Sequence, residues 1–523
     1  MNNSFMAGIR SLTTFRLSSS FPDVKTVLNL TMSLQSAIAA LKQRDFEEAL
    51  RIVAREKPAS FGVQHFLIKG LAELSLEKWQ SAADTFARAA DRFRDYGLFW
   101  LNKGIAEENL LRLDDAIASQ ERCIALLPYQ AEAYGNLSNL YRKKALFAEA
   151  EAMARRALEL GANKGDAFNC LGLALMKQGK FDEAEKAFLD AHRAAPRKAD
   201  ILSNLANLKV EIFRFDEAWK YFAAARALED KPVYRHDEGL ARLLSGDAEK
   251  GFDLFEARLD LPNALRLRPS VPRWRGEDLK GKKLLIVAEQ GFGDVLHFCR
   301  YEKLIPDGEL VWAVPKSLVR LLSGTLRGTV IDETASLPAC DFYIPVLSLG
   351  TLSPQPLAAA GAYLAAGPKP LLPKGTHDRK IGLVWAGSRT HQRDYERSIP
   401  LERFKPLMDS VQADFYAPFL GEALETIGSL PVARLDSLIS DFADTAALLK
   451  QLDVLVTVDT AAAHLAGALG VKTFLLLPHC PDWRWGTSGE KTPLYASVTL
   501  VRQPHFGDWE SVLKIVRDRL ASN

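Results

Sequence analysis

At 523 residues, with 48% hydrophobic and 25% charged side chains and a net charge of +2, the chain is too long for one hydrophobic core. The balanced charge gives no electrostatic case for nucleic acid or for a generally basic membrane-binding surface. No apolar run reaches the length of an integral membrane segment, and Leu469–Pro478 is interrupted by Gly470 and Lys472. Cys123, Cys170, Cys299, Cys340 and Cys480 form an odd, unpatterned set, which points to a reducing, cytoplasmic setting without a zinc site.

Residues 1–31 carry Arg10 and Arg16, many Ser and Thr, and no acid before Asp23. They match a transit peptide only weakly and lack the apolar core of a secretory signal, so a disordered leader, or a true start at Met32, is expected. Residues 32–261 are repetitive. Phe181-Asp182-Glu183-Ala184 and Phe215-Asp216-Glu217-Ala218 place their alanines 34 residues apart, and the same step back reaches Ala150, Ala116 and Ala82, with Ala49 one residue short. A large apolar column recurs as Phe46, Trp79, Leu113, Phe147, Phe181 and Phe215, and a small column as Gly70, Gly104, Ser138, Gly172 and Ala206. This period and these columns predict tetratricopeptide (TPR) helical hairpins stacked into an α superhelical solenoid, with Gly246–Gly251 as a degenerate capping unit. Such an array binds a peptide or partner protein along its concave face. Asn136, Asn139, Asn169, Asn204 and Asn207, poor helix formers near the first helix of their repeats, are candidate acceptor- or peptide-binding residues. They could equally satisfy inter-helix backbone groups or face water.

Pro262, Pro269, Pro272 and Trp274-Arg275-Gly276 break the helical period, so residues 262–280 read as a linker. Strands at Lys283–Ala288, Leu310–Val314 and near Phe342–Val346, with a helix at Val295–Leu304, make an α/β unit over residues 281–370. After a Pro-rich linker, a second Rossmann-like unit occupies residues 376–523, leaving a cleft between the two. Gly291 and Gly293 begin a glycine loop, but Leu296 takes the third glycine position and Val314-Pro315 stands where an acid should end the second strand. A dinucleotide site therefore does not fit. Asp294 is left at the start of a helix, either as a helix cap or as a general base facing the cleft.

Gly387-Ser388 and the polar loop through Ser398 could hold a diphosphate with Arg393, Arg397, Ser388 and Ser398, or could be a solvated loop pairing with Asp394 and Glu396. Downstream, Val454–Val458 reads as a buried strand. Asp459, Thr460, Ala461 and His464 crowd its carboxyl end and the first turn of a helix ending near Gly470, where open α/β sheets bind ligands.

The segments Glu289-Gln290-Gly291-Phe292-Gly293-Asp294, Gly382-Leu383-Val384-Trp385-Ala386-Gly387, Arg397-Ser398-Ile399-Pro400 and Asp459-Thr460-Ala461-Ala462-Ala463-His464-Leu465-Ala466-Gly467 together resemble bacterial TPR glycosyltransferases. Their catalytic region is heptosyltransferase-like (family 9-like) and of the GT-B fold. Pro481-Asp482-Trp483-Arg484-Trp485 and Gly507-Asp508-Trp509 also resemble that group. The resemblance implies an inverting, metal-independent transfer from a nucleotide-sugar, with no separate cofactor. Asp294 would be the base; Trp385, Gly387, Ser388, Arg393, Arg397, Ser398, Asp459, Thr460, Ala461 and His464 would line the donor side with Gly291 and Gly293. No Asp-x-Asp motif is present to hold a cation. The acceptor implied is a protein or peptide presented by the TPR groove, a bacterial flagellar or surface protein being one instance. Ala461 replaces the motif glycine and is where donor binding is most exposed to failure. The rival expectations are a non-catalytic TPR scaffold and a transferase acting on a glycan or lipid-linked acceptor.

Overall fold

The computed structural model describes residues 32–262, 264–353, 355–358, 361–391 and 393–522. The expected leader, residues 1–31, lies outside the described residues. The chain forms two compact units, one up to Leu208 and one from Lys209 onward.

The N-terminal unit is built from antiparallel helix pairs: α1 (Met32–Lys42) with α2 (Phe46–Val53), α3 (Val63–Ser75) with α4 (Trp79–Arg92), α5 (Gly97–Asn109) with α6 (Leu113–Leu126), α7 (Ala131–Lys143) with α8 (Phe147–Glu159), and α9 (Lys164–Lys177) with α10 (Phe181–Ala194). α11 (Ala199–Glu211) follows. The small column explains the close approach within each pair. A Cβ on Gly70 would lie 2.3 Å from the Phe86 ring, and one on Gly172 would lie 2.6 Å from Phe188. At the same phase the Ser138 hydroxyl donates to the Ala150 carbonyl at 2.8 Å. The turn between paired helices carries its own periodic signature. Arg44, Glu77, Leu111, Ala145, Gly179 and Phe213 all adopt positive φ, between 57° and 74°, and Gly246 repeats it at 92°. Only two of these seven positions use the residue for which that conformation is unstrained.

In the C-terminal unit, α12 (Phe215–Leu228), α13 (Pro232–Ser245) and α14 (Ala248–Phe255) continue the helical pattern. Within the segment expected as a linker at 262–280, Trp274 is buried and docks on the first sheet: its N–H donates to the Tyr343 carbonyl at 2.8 Å, and the Tyr343 N–H donates to the Pro272 carbonyl at 3.0 Å. Two parallel sheets follow. The first has the order β3-β2-β1-β4, from β1 (Lys283–Val287), β2 (Glu309–Val314), β3 (Thr329–Asp332) and β4 (Phe342–Pro345), with α15 (Phe292–Phe298) after β1 and α16 (Lys316–Ser323) after β2. The second has the order β10-β9-β8-β5-β6-β7. Its elements are β5 (Lys380–Val384), α17 (Asp394–Arg397), α18 (Lys405–Ser410), β6 (Asp414–Ala417), β7 (Val432–Arg434), α19 (Phe442–Leu449), β8 (Val454–Val458), α20 (Ala461–Leu469), β9 (Thr473–Leu477), β10 (Val498–Arg502) and α21 (Trp509–Ala521). β8 lies between β5 and β9 and is buried at every position, as its unbroken Val-Leu-Val-Thr-Val run requires. Apolar side chains from both sheet regions, among them Val295, Leu296, Leu465 and Leu469, share one core.

Candidate functional site

The loops leaving β1 and β8 meet where α15 packs on α20. The approach is close because residue 293 is glycine: a Cβ there would come within 2.9 Å of His464 Cδ2 and 3.5 Å of Ala461 Cα. Gly291 is the residue before α15, and its N–H donates to Asp294 Oδ2 at 2.8 Å. Asp294 therefore does cap its helix, through one oxygen. Its other oxygen, Oδ1, accepts from Arg484 Nη2 at 2.5 Å. Burial pushes the Asp294 carboxyl above its ordinary value, against the pull of Arg484 and the Gly291 N–H.

Arg484 belongs to the turn after β9. Its Nη1 donates to Asp482 Oδ1 at 2.9 Å, and its guanidinium lies 4.5 Å from the centre of the Trp483 ring. Asp459, at the end of β8, is pushed up to about 7 by burial and by the Asp482 carboxylate, while Trp485, Arg397 and Arg484 favour its charged form. Asp294, Asp459 and Asp482 thus share the field of Arg484. Arg397 approaches from the other side, its Nη1 donating to the Asp459 carbonyl at 2.8 Å and its Nε to Asp394 at 3.1 Å. Gly387 permits this, since a Cβ there would lie 2.3 Å from Arg397 Nη2. Thr460 precedes α20 and its buried Oγ1 has no hydrogen-bond partner.

His464 is buried. Its Nδ1 is 2.8 Å from Tyr495 Oη, and its ring stacks on Trp485 at 5.2 Å and meets His297 edge-on at 5.7 Å. Burial holds both histidines neutral, below their ordinary values, with Arg300 and Arg484 adding to the effect. His464 is a packed residue behind the loops, with its Nε2 beside Gly293.

Several residues assigned from sequence to the donor side are used elsewhere. Trp385 is a core ring, buried and set edge-on against Phe419 at 4.9 Å. Arg393 does not join Arg397: its guanidinium pairs with Glu396 and with Glu211 at 3.2 Å and donates to the Cys480 carbonyl at 3.0 Å. Ser398 accepts from the Gly387 N–H and donates to Asp394, both at 3.0 Å, so it shapes the loop. Ser388 is exposed and bonds Thr390. The surviving cluster is Asp294, Arg397, Asp459, Thr460 and the α20 amino end, to which the structure adds Arg484, Asp482 and Trp485. The dense Asp-Trp-Arg-Trp run was the sequence signal for these three. Among the described residues no group of three His, Cys, Asp or Glu side chains could hold a metal ion, and no helix is long and apolar enough to cross a membrane.

Tetratricopeptide-repeat family models match residues 68–131, 130–162 and 165–198. The N-terminal unit is a TPR array. Protein FlbA of Caulobacter vibrioides is 26% identical over 325 residues, which span 54% of this chain and 54% of FlbA; the chain thus covers about half the length of that relative. The array is similar to solved structures of MamA (22% identity, 31% of this chain and 96% of that chain, TM-score 0.28). It is also similar to YrrB, described as a TPR protein with an unusual peptide-binding site (22% identity, 34% and 93%, TM-score 0.27). A third is a TPR protein from Parabacteroides merdae (17% identity, 44% and 93%, TM-score 0.39).

Within the TPR array Asn204 donates to Asn169 Oδ1 at 2.8 Å, joining neighbouring repeats, and Asn139 favours the charged form of the Cys170 thiol, which burial pushes up. Asn207 also has a partner. Asn136 differs: its buried side-chain nitrogen has no partner, leaving a donor to spare.

Proposed function

We infer that the TPR repeats engage other proteins. We propose that the C-terminal unit is a GT-B-type glycosyltransferase that moves a sugar from a nucleotide-sugar to a hydroxyl of a protein acceptor recruited by the array. What supports this reading above all is that a half-buried carboxylate, Asp294, after β1 adjoins Gly293, which packs on the amino end of α20 after β8. The free N–H groups of α20 and the Arg397 guanidinium suit a departing diphosphate, and Asp294 suits the proton of an attacking hydroxyl. Ser388, exposed in the loop after β5, and the unpartnered Thr460 hydroxyl are further groups for the donor. Inversion follows if Asp294 deprotonates the acceptor on the face opposite the leaving nucleotide. A flagellar or surface protein fits the acceptor class.

Purified full-length protein incubated with a panel of nucleotide-sugars tests the reading. The expected result is release of nucleoside diphosphate from one donor and a fall of about 10²–10⁴-fold on Asp294→Asn, the usual worth of a general base. Failure of every donor to bind in calorimetry would overturn it. The second reading, a TPR scaffold with a degenerate transferase unit, is favoured by one observation: Arg393 is committed to Glu211 and Glu396, so the expected diphosphate clamp is reduced to Arg397.

A further inference from the structure

The observation left over from the site is Arg484. Its side chain is only 7% exposed, far too buried for a solvated surface ion pair. One guanidinium nitrogen meets Asp294 and the other meets Asp482, while the buried Nε has no partner. Trp483 lies under the guanidinium plane at 4.5 Å and Phe298 flanks it at 5.8 Å. The turn that carries it is also fixed. Arg502 donates to the carbonyls of Trp485, Gly486, Ser488 and Gly489, so the segment following Arg484 is held by one half-buried cation.

We propose that Arg484 is the positioning residue of Asp294, holding that carboxylate ionised and in one orientation, with Asp482 on its other nitrogen setting how firmly it does so. This rests on the reading of Asp294 as the base. With Oδ2 taken by the Gly291 N–H and Oδ1 by Arg484, both oxygens of Asp294 are fixed in direction, and the remaining lone pairs present one face to a hydroxyl. A lysine would supply charge without the two-pronged geometry, because only a planar guanidinium meets two carboxylates while stacked on an indole. The groups that act on Asp294 come from several elements. Arg484 and Asp482 face it from the turn after β9, and Arg258 lies in the helical turn before the first sheet. His297, one turn along α15, and His464 on α20 are both neutral. Removing Arg484 takes away its main attractive charge, whereas removing Asp482 takes away a repulsive one. The two changes must move Asp294 in opposite directions.

The test is to label full-length wild type, Arg484→Gln, Arg484→Lys and Asp482→Asn with a water-soluble carbodiimide and glycine ethyl ester across a pH series. The reagent takes the protonated carboxyl, and peptide mass spectrometry quantifies it at Asp294. Arg484→Gln is expected to raise the labelling midpoint by about one to three pH units, the usual effect of one adjacent opposite charge. Asp482→Asn should lower it, and Arg484→Lys should fall between wild type and Arg484→Gln. The acid limb of kcat/KM should follow the same order. An unmoved midpoint in Arg484→Gln whose near-ultraviolet circular dichroism is intact overturns the proposal, as does an upward shift in Asp482→Asn. If Arg484→Gln does not fold, the direction of the Asp482→Asn shift decides. Shifts in the expected directions from a wild type that turns over no nucleotide-sugar would refute the transferase reading and leave the hold on Asp294 standing.

Discussion

Replacing Glu289 by Ala should destabilise the C-terminal unit by about 4 kcal/mol, because it strands a buried cation and a buried amide together. Glu289 opens the loop that carries Asp294 and is 1% exposed, and its partner Arg258 is 3% exposed. The carboxylate accepts from Arg258 Nη2 at 2.7 Å and Nε at 2.9 Å, and from the Leu347 N–H at 3.1 Å. Leaving a buried charge without its partner costs about 3–5 kcal/mol. Here Glu256 stays 2.7 Å from Arg258 Nη1 and limits the charge part to the low end, while the orphaned Leu347 N–H adds about 1 kcal/mol. For a unit of this size about 2 °C is lost per kcal/mol, so scanning calorimetry of the full chain should show its transition about 8 °C lower. The TPR transition should be unmoved and serves as the internal control. The pair is expected to be a liability as well as a tie: Arg258→Met with Glu289→Leu should recover at least half the loss, since paired removal leaves no uncompensated charge. A single variant less than about 2 °C below wild type, or a double variant no better than the single, would refute this reasoning.

Asp459→Asn should stabilise the protein at pH 8 and have little effect at pH 4. Because the folded-state value is raised from 3.8 to about 7, the folded chain holds a proton that the unfolded chain has released, so the stability this group contributes is full below about pH 4 and lost as pH rises through 7. Discounted for solvent screening, the gain at pH 8 should be about 1–2 kcal/mol in thermal denaturation; an equal effect at both pH values would contradict it. In the array, Leu111 is 79% exposed and held at φ 61°, so Leu111→Gly relieves about 1–2 kcal/mol of left-handed strain and returns about 0.5–1 kcal/mol of chain entropy. Urea unfolding should show a net gain near 0.5 kcal/mol, and a loss would mean that the turn is unstrained.

The repeat array was legible because its determinants are local and periodic: Gly70 and Gly172 lie three periods of 34 residues apart and face Phe86 and Phe188, which are separated by the same three periods. Its left-handed turn positions were hidden, since Arg44, Glu77, Leu111, Ala145 and Phe213 give no compositional hint of positive φ. Buried strands such as β8 showed as apolar runs. β3, β7 and β10 did not: β3 and β7 are short and expose most of their residues at least in part, and β10, as long as β8, is interrupted by Thr499 and ends on Arg502. Loop arginines were the least readable. Arg393 and Arg397 sit four residues apart, but the choice between a ligand and a structural partner was made by Glu211, 182 residues away. Arg484 is likewise defined by Asp294, at a separation of 190 residues. Trp385 shows the same limit, because a tryptophan at a strand end reads alike whether it serves a pocket or, as here, the core.

The alanine at 461 looked from sequence like the weak point of the site, a methyl group placed where a donor phosphate needs room. The contact between the helices puts the requirement for smallness at Gly293 instead. There the ring of His464 comes so near that any side chain must displace it. The Gly293 contact adds to the apolar packing of α15 on α20 through Val295, Leu296, Leu465 and Leu469, with His464 stacked on Trp485 behind it. Trp485 adjoins Arg484, and Gly293 adjoins Asp294. The same close approach therefore lies beside both partners of the Asp294–Arg484 pair, whose oxygen and nitrogen are 2.5 Å apart.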